Sequence, residues 1–160
     1  MAQGNEILIS AVPNGRFLEG LIDGTPKPGT VMQVKAATEP VSGRHTWEVY
    51  NRDADGDRPQ GPIAVLLPDQ LQGKLATDAY VTGTRGFLYA PIAGDEVNML
   101  LADVAGTGDD HAIGELLIVD DGTGLLIATT GTPESEPFVV METITDPTTD
   151  TLVHCMFTGY

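Results

Sequence analysis

Nineteen glycines and eleven prolines are spread along the whole 160-residue chain, and this punctuation limits the fold more than any other feature. Both residues interrupt helix interiors, glycine through its backbone entropy and proline through its missing N–H. The apolar runs between them are short, and several alternate. Met32 and Val34 stand against Gln33 and Lys35, and Trp47 and Val49 against Thr46, Glu48 and Tyr50. A period of two is the mark of a strand, because successive side chains point to opposite faces.

Read this way, residues 6–12 and 16–22 flank Pro13-Asn14-Gly15 as a hairpin, and residues 30–36, 44–50 and 62–67 are further strands. Residues 51–61 form a polar loop. The one helical candidate is 69–80, where Asp69 is a possible cap and Leu71 and Leu75 sit four apart, but Gly73 limits it to a turn or two. From residue 86 onward strands at 86–92, 96–102, 114–120, 125–130, 137–145 and 151–158 follow one another through turn sequences. Ala93-Gly94-Asp95, Asp121-Gly122-Thr123-Gly124 and Asp146-Pro147-Thr148 are among those turns, and the series predicts a string of hairpins. No repeat of fixed period is visible. The expectation is an all-β (mainly β) fold: one compact barrel or sandwich-like domain over 1–160, with at most one or two short helices and its sheet edges closed or covered.

Charge narrows the partners. Eight Lys and Arg face 23 Asp and Glu, a formal net charge of -15, and no cation follows Arg85. Direct nucleic-acid binding needs a basic face, so it is not expected, and an anionic surface likewise repels membranes. No apolar run approaches the roughly 20 residues of a membrane helix. Nor does the start of the chain look like a secretory signal, since it lacks a basic stretch followed by a long apolar one. Cys155 is the single cysteine and cannot form an internal disulfide.

Chemistry-bearing clusters are thin. Asp53, Asp55 and Asp57 alternate as in the start of a calcium loop, but the sixth and twelfth positions hold Arg58 and Ala64 instead of Gly and Glu, so a solvated turn is expected. Asp109-Asp110-His111 would need further metal ligands from elsewhere, such as His45 or Glu115, and reads as an acidic loop. His154 and Cys155 are neighbours in a strand, point to opposite faces and make no dyad, which leaves Cys155 as a core residue. Ser10, Ser42 and Ser135 lack a nucleophile elbow, and the Gly-Thr-Gly turns lack the remainder of any phosphate-binding motif. No catalytic residue, metal site or cofactor is expected, and the chain reads as a structural or binding module instead of an enzyme.

The second half contains an ordered series: Pro91-Ile92-Ala93-Gly94-Asp95-Glu96-Val97-Asn98-Met99-Leu100-Leu101, then Ile113-Gly114-Glu115-Leu116-Leu117, Asp121-Gly122-Thr123-Gly124-Leu125, and Phe138-Val139-Val140-Met141-Glu142. With Ile63-Ala64-Val65-Leu66-Leu67, Leu71-Gln72-Gly73-Lys74 and Asp78-Ala79-Tyr80 upstream, it resembles the tailed-bacteriophage head decoration (capsid cement) proteins across residues 62–160. The resemblance implies a structural virion protein made in the host cytoplasm. It would be a homotrimer bound to the major capsid protein on the outside of the expanded shell, at three-fold and quasi-three-fold positions, which it stabilises. In that setting Met1, Ala2, Gln3, Gly4 and Asn5 are candidates for a capsid-binding arm that adds to a sheet edge. Trp47 and Tyr50, beside the charged loop, are either a protein-contact anchor or simple core. The alternative reading is a β-module of a phage tail or spike that binds protein or carbohydrate.

Overall fold

A computed structural model describes residues 7, 15–35, 44–51, 63–102, 110–128, 138–145, 147 and 151–159. Among them are ten strands: β1 (Arg16–Ile22), β2 (Val31–Val34), β3 (Thr46–Val49), β4 (Ile63–Leu67), β5 (Arg85–Ala90), β6 (Glu96–Leu101), β7 (Leu116–Val119), β8 (Leu126–Ala128), β9 (Phe138–Val140) and β10 (Thr151–Phe157). They form two closed barrels, with strand orders β1-β3-β2-β4-β5 and β6-β8-β7-β9-β10. The all-β expectation holds.

The two orders are the same order. In each half the first strand lies between the third, to which it is parallel, and the fifth, to which it is antiparallel, and the remaining pairs are antiparallel. The chain is thus a topological repeat that no sequence period reveals, because the two barrels share pairing and not side chains.

The 86–92/96–102 hairpin expected from the sequence does not form. β5 pairs with β1 and β4, and β6 with β10 and β8, so both edges of each are already occupied. The Ala93-Gly94-Asp95 turn instead carries the chain from one barrel to the other. The hairpins β7–β8 and β9–β10 do form, with Val119 opposite Leu126 and Cys155 opposite Val140. Residues 8–14 lie outside the described residues, and with them the first arm of the proposed 6–22 hairpin. The helical candidate reduces to a single 3₁₀ turn, Gln70–Gln72, whose Gln72 N–H donates to the Asp69 carboxylate at 3.3 Å and which Gly73 closes. Leu71 and Leu75 are exposed, so no apolar face draws this turn into a longer helix.

Barrel one is filled by Ile22, Met32, Trp47, Ala64, Leu66, Tyr80 and Leu88. Gly20 and Gly86 are cross-strand partners in its wall. A Cβ on Gly20 would lie 2.2 Å from the Trp47 ring, and one on Gly86 2.4 Å from the Ile22 side chain, so the two glycines open the space that these large residues fill. A second core joins the barrel-two interior (Met99, Leu117, Leu126, Phe138, Val153, Cys155) to the outward residues Val31, Ile63, Val65 and Tyr89 of barrel one. β4 therefore buries both faces, Ala64 and Leu66 inward and Ile63 and Val65 toward barrel two. Burial on both sides explains why residues 63–67 read as a continuous apolar run and not an alternating one. Main-chain bonds cross the same seam: Val31 N–H to the Gly124 carbonyl (2.8 Å), Leu100 N–H to Gly29 (3.1 Å) and Gly122 N–H to Tyr50 (3.1 Å).

Candidate protein-interaction face

The outer face of β1, β5 and β4 runs from the seam into solvent. Tyr89 is fully buried at the seam end, and its ring meets Phe17 at 5.2 Å in a tilted arrangement. Beyond it Phe17, Leu67, Pro68, Leu71 and Phe87, with Ile7 on the inner wall and Gln70 as a polar member, line an open, mainly apolar groove of about 450 Å³. Phe17 is 62% exposed and Leu71 83%. Phe17 stands opposite Tyr89 and Glu19 opposite Phe87, so β1 presents these side chains on the face turned away from the barrel-one core. The Arg85 guanidinium lies 5.1 Å from the Phe87 ring centroid and is ion-paired with Glu19.

Asp95 locks the end of this face. Its carboxylate is fully buried and accepts hydrogen bonds from the Tyr89 hydroxyl (2.6 Å) and the Ile92 N–H (2.9 Å), while the Tyr89 oxygen accepts one from Gly15 N–H (2.7 Å). The Asp95 carbonyl takes Phe157 N–H of β10 at 2.8 Å, so one residue ties barrel one, the inter-barrel turn and barrel two together.

Burial, and for Tyr89 also the bond to Asp95, pushes the Tyr80 and Tyr89 phenols up to about 12 from an ordinary 10.0. A phenol whose folded pKa lies above its unfolded value stabilises the fold fully below pH 10 and loses that contribution as pH rises through 12. The unfolding free energy is therefore expected to fall between pH 10 and pH 12, by up to about 1.4 kcal/mol per pH unit for each tyrosine. Tyr80→Phe and Tyr89→Phe should each flatten that dependence in urea titrations at stepped pH, and an unchanged slope in both would refute the assignment.

The residues singled out in the sequence fall as follows. Met1, Ala2, Gln3, Gly4 and Asn5 lie outside the described residues, as do Asp53, Asp55, Asp57 and Asp109. Ile7 is buried, and its carbonyl accepts Asn98 N–H of β6 at 2.6 Å, which places position 7 on the inner wall of the groove. His111 is buried and not part of an open acidic loop: its main chain bridges Ile144 in both directions at 2.9 Å, and its Nδ1 lies 3.1 Å from Glu115 Oε1. Among the described residues no group of three or more potential metal ligands converges.

His154 and Cys155 occupy opposite faces as expected. Cys155 is fully buried, with its thiol pushed well up by burial, and His154 Nε2 lies 3.0 Å from Glu96 Oε2 on the outer face. Trp47 and Tyr50 are buried, Trp47 inside barrel one and Tyr50 at the seam, so the core alternative holds for both and neither is a surface anchor. Phe17 and Phe87 were not singled out in the sequence, and Leu71 entered there only through the helical candidate and the resembling series. The available signal was a large aromatic standing in register with glutamate on the polar side of a strand, and a leucine isolated between two glutamines.

The charges separate along the chain. All eight cations lie within residues 1–85, together with ten carboxylates, whereas residues 86–160 carry thirteen carboxylates and no cation. Barrel one is near neutral and barrel two is a polyanion.

No family model matches the chain, and no curated protein matches it. Among solved structures it is similar to the N base of the head fiber gp8.5 of bacteriophage phi29, with a TM-score of 0.54, 10% sequence identity and coverage of 90% of this chain and 94% of that one. At that identity the likeness establishes a shared fold.

Proposed function

We propose that this chain is a structural protein of a bacteriophage particle that binds the outside of the expanded head and stabilises the shell. The fold it shares with the base of a phage head fiber is the observation that carries this reading. The ordered series over residues 62–160 that resembles head decoration proteins supports it independently. In the finer form of the proposal the protein is a homotrimer on the major capsid protein at three-fold and quasi-three-fold positions. A ring of three repeats one interface and closes, which prevents open-ended association. The polyanionic half suits an outer surface, where it keeps particles apart and away from packaged DNA.

The test is quantitative co-sedimentation of the purified chain with expanded, undecorated heads of its phage, alongside the light-scattering mass of the free protein. Saturable binding at three copies per three-fold position is the expected result. Absence of binding would refute the head assignment and favour a tail or spike module, a reading that likeness to a fiber base also accommodates.

A further inference from the structure

The connection from β4 to β5 folds around a small pocket, and we infer that this pocket takes one basic side chain, lysine or arginine, presented by a partner protein. Its volume is about 180 Å³, and among the described residues it shares no lining residue with the groove beside Phe17. Asp69 supplies the charge. The residue is only 5% exposed, yet it lines the pocket: its Oδ1 accepts Gln72 N–H at 3.3 Å, and its Oδ2 has no partner among the described residues. A carboxylate held this far from bulk water gains strongly from a charge-assisted hydrogen bond, because little solvent screens the pair.

The walls ask for a donor. Their own hydroxyls are already spent, Tyr80 donating to the Leu67 carbonyl (2.8 Å) and Thr84 to the Val81 carbonyl (2.6 Å). Asp78 adds a second carboxylate, of which only Oδ2 is engaged, by Leu75 N–H at 2.9 Å among the described residues. Two cations stand at the rim without filling this need. Arg85 is paired with Glu19 and lies over the Phe87 ring, and Lys74 is exposed and forms no ion pair among the described residues. The volume falls below the roughly 300–1,000 Å³ of ordinary small-molecule sites and suits a single long side chain, whose methylene stem packs on Ala79, Tyr80 and Val81. A net charge of -15 draws basic partner surfaces toward the chain.

The experiment titrates the full-length, isotope-labelled protein with N-acetyl-arginine methylamide, N-acetyl-lysine methylamide and the uncharged isostere N-acetyl-citrulline methylamide, following the main-chain amide signals of Gln72, Lys74 and Thr84. The expected result is saturable shifts with both cations at a Kd of about a millimolar, and binding of citrulline weaker by roughly tenfold or more. Asp69→Asn keeps a capping side chain before the 3₁₀ turn, so it should fold as wild type while losing roughly tenfold or more in affinity for both cations. Lys74→Ala removes a competing charge and should bind them at least as tightly as wild type. Equal binding of citrulline and arginine, unchanged affinity in Asp69→Asn or weaker cation binding by Lys74→Ala would overturn recognition of charge at Asp69. No saturable shift in wild type would overturn the pocket itself. Should Asp69→Asn fail to fold, the comparison of arginine with citrulline on wild type still decides. Binding is read on the isolated protein, so each of these outcomes is separate from that of co-sedimentation with heads.

Discussion

Asp95→Ala is expected to lower the unfolding free energy by about 2–6 kcal/mol, since it removes a fully buried acceptor and strands its donors. The Tyr89 hydroxyl, which is fully buried, and the Ile92 N–H, at a half-exposed residue, both lose this partner. A buried donor left without its acceptor costs roughly 1–3 kcal/mol, which sets the range. Tyr89→Phe removes the first of these bonds and also strands the Gly15 N–H that its oxygen accepts, so it should cost a comparable amount. The double variant Asp95→Ala/Tyr89→Phe should be less destabilised than the sum of the singles, because the same bond is lost in both. Urea unfolding of the four proteins measures this directly. Additive losses would show that the pair does not act as a unit.

That clamp was only half legible in the sequence. Pro91-Ile92-Ala93-Gly94-Asp95 reads as a turn from residue type alone, and the turn is present, with Gly94 at φ 95°. What it connects was misread, because turn chemistry fixes a local reversal and not the partner strand. β5 and β6 are ordinary hairpin arms in sequence, and only their long-range neighbours, β1 and β4 for one and β8 and β10 for the other, send them to different barrels. The strands themselves were legible wherever one face is buried, as in β3 with Trp47 inward and in β10 with Val153, Cys155 and Phe157 inward. The repeat of strand order escaped detection for a related reason. Barrel one is filled around Trp47 and Met32 and barrel two around Phe138 and Leu117, so equivalent positions share pairing without sharing volume. As for the candidate face, Phe17 looks in sequence like any core aromatic. Only the register, which places it opposite Tyr89 at the open end of the seam, sets it in solvent.

The seam between the barrels has its own test in the β7–β8 turn. Gly124 combines a positive φ of 65° with a close approach: an added Cβ would lie 2.5 Å from the Val31 carbonyl oxygen and 2.8 Å from the Thr30 methyl, while its own carbonyl accepts Val31 N–H at 2.8 Å. Gly122, two residues earlier in the same turn, has a φ of 84° with nothing within 4 Å of a would-be Cβ. Gly122→Ala therefore meets only the left-handed backbone penalty, about 1–2 kcal/mol. Gly124→Ala meets that penalty and also drives the turn against the β2 main chain, which cannot yield without breaking the Val31 bond, so the loss should reach about 3–5 kcal/mol. The difference between the two variants in urea unfolding isolates the seam, because local strain is common to both. A difference of roughly 2 kcal/mol or more fits barrels held in register through this turn. Equal losses would mean that barrel two can shift away from β2 without cost, and the continuous core across Val31, Val65 and Tyr89 would then have to hold the halves together by itself.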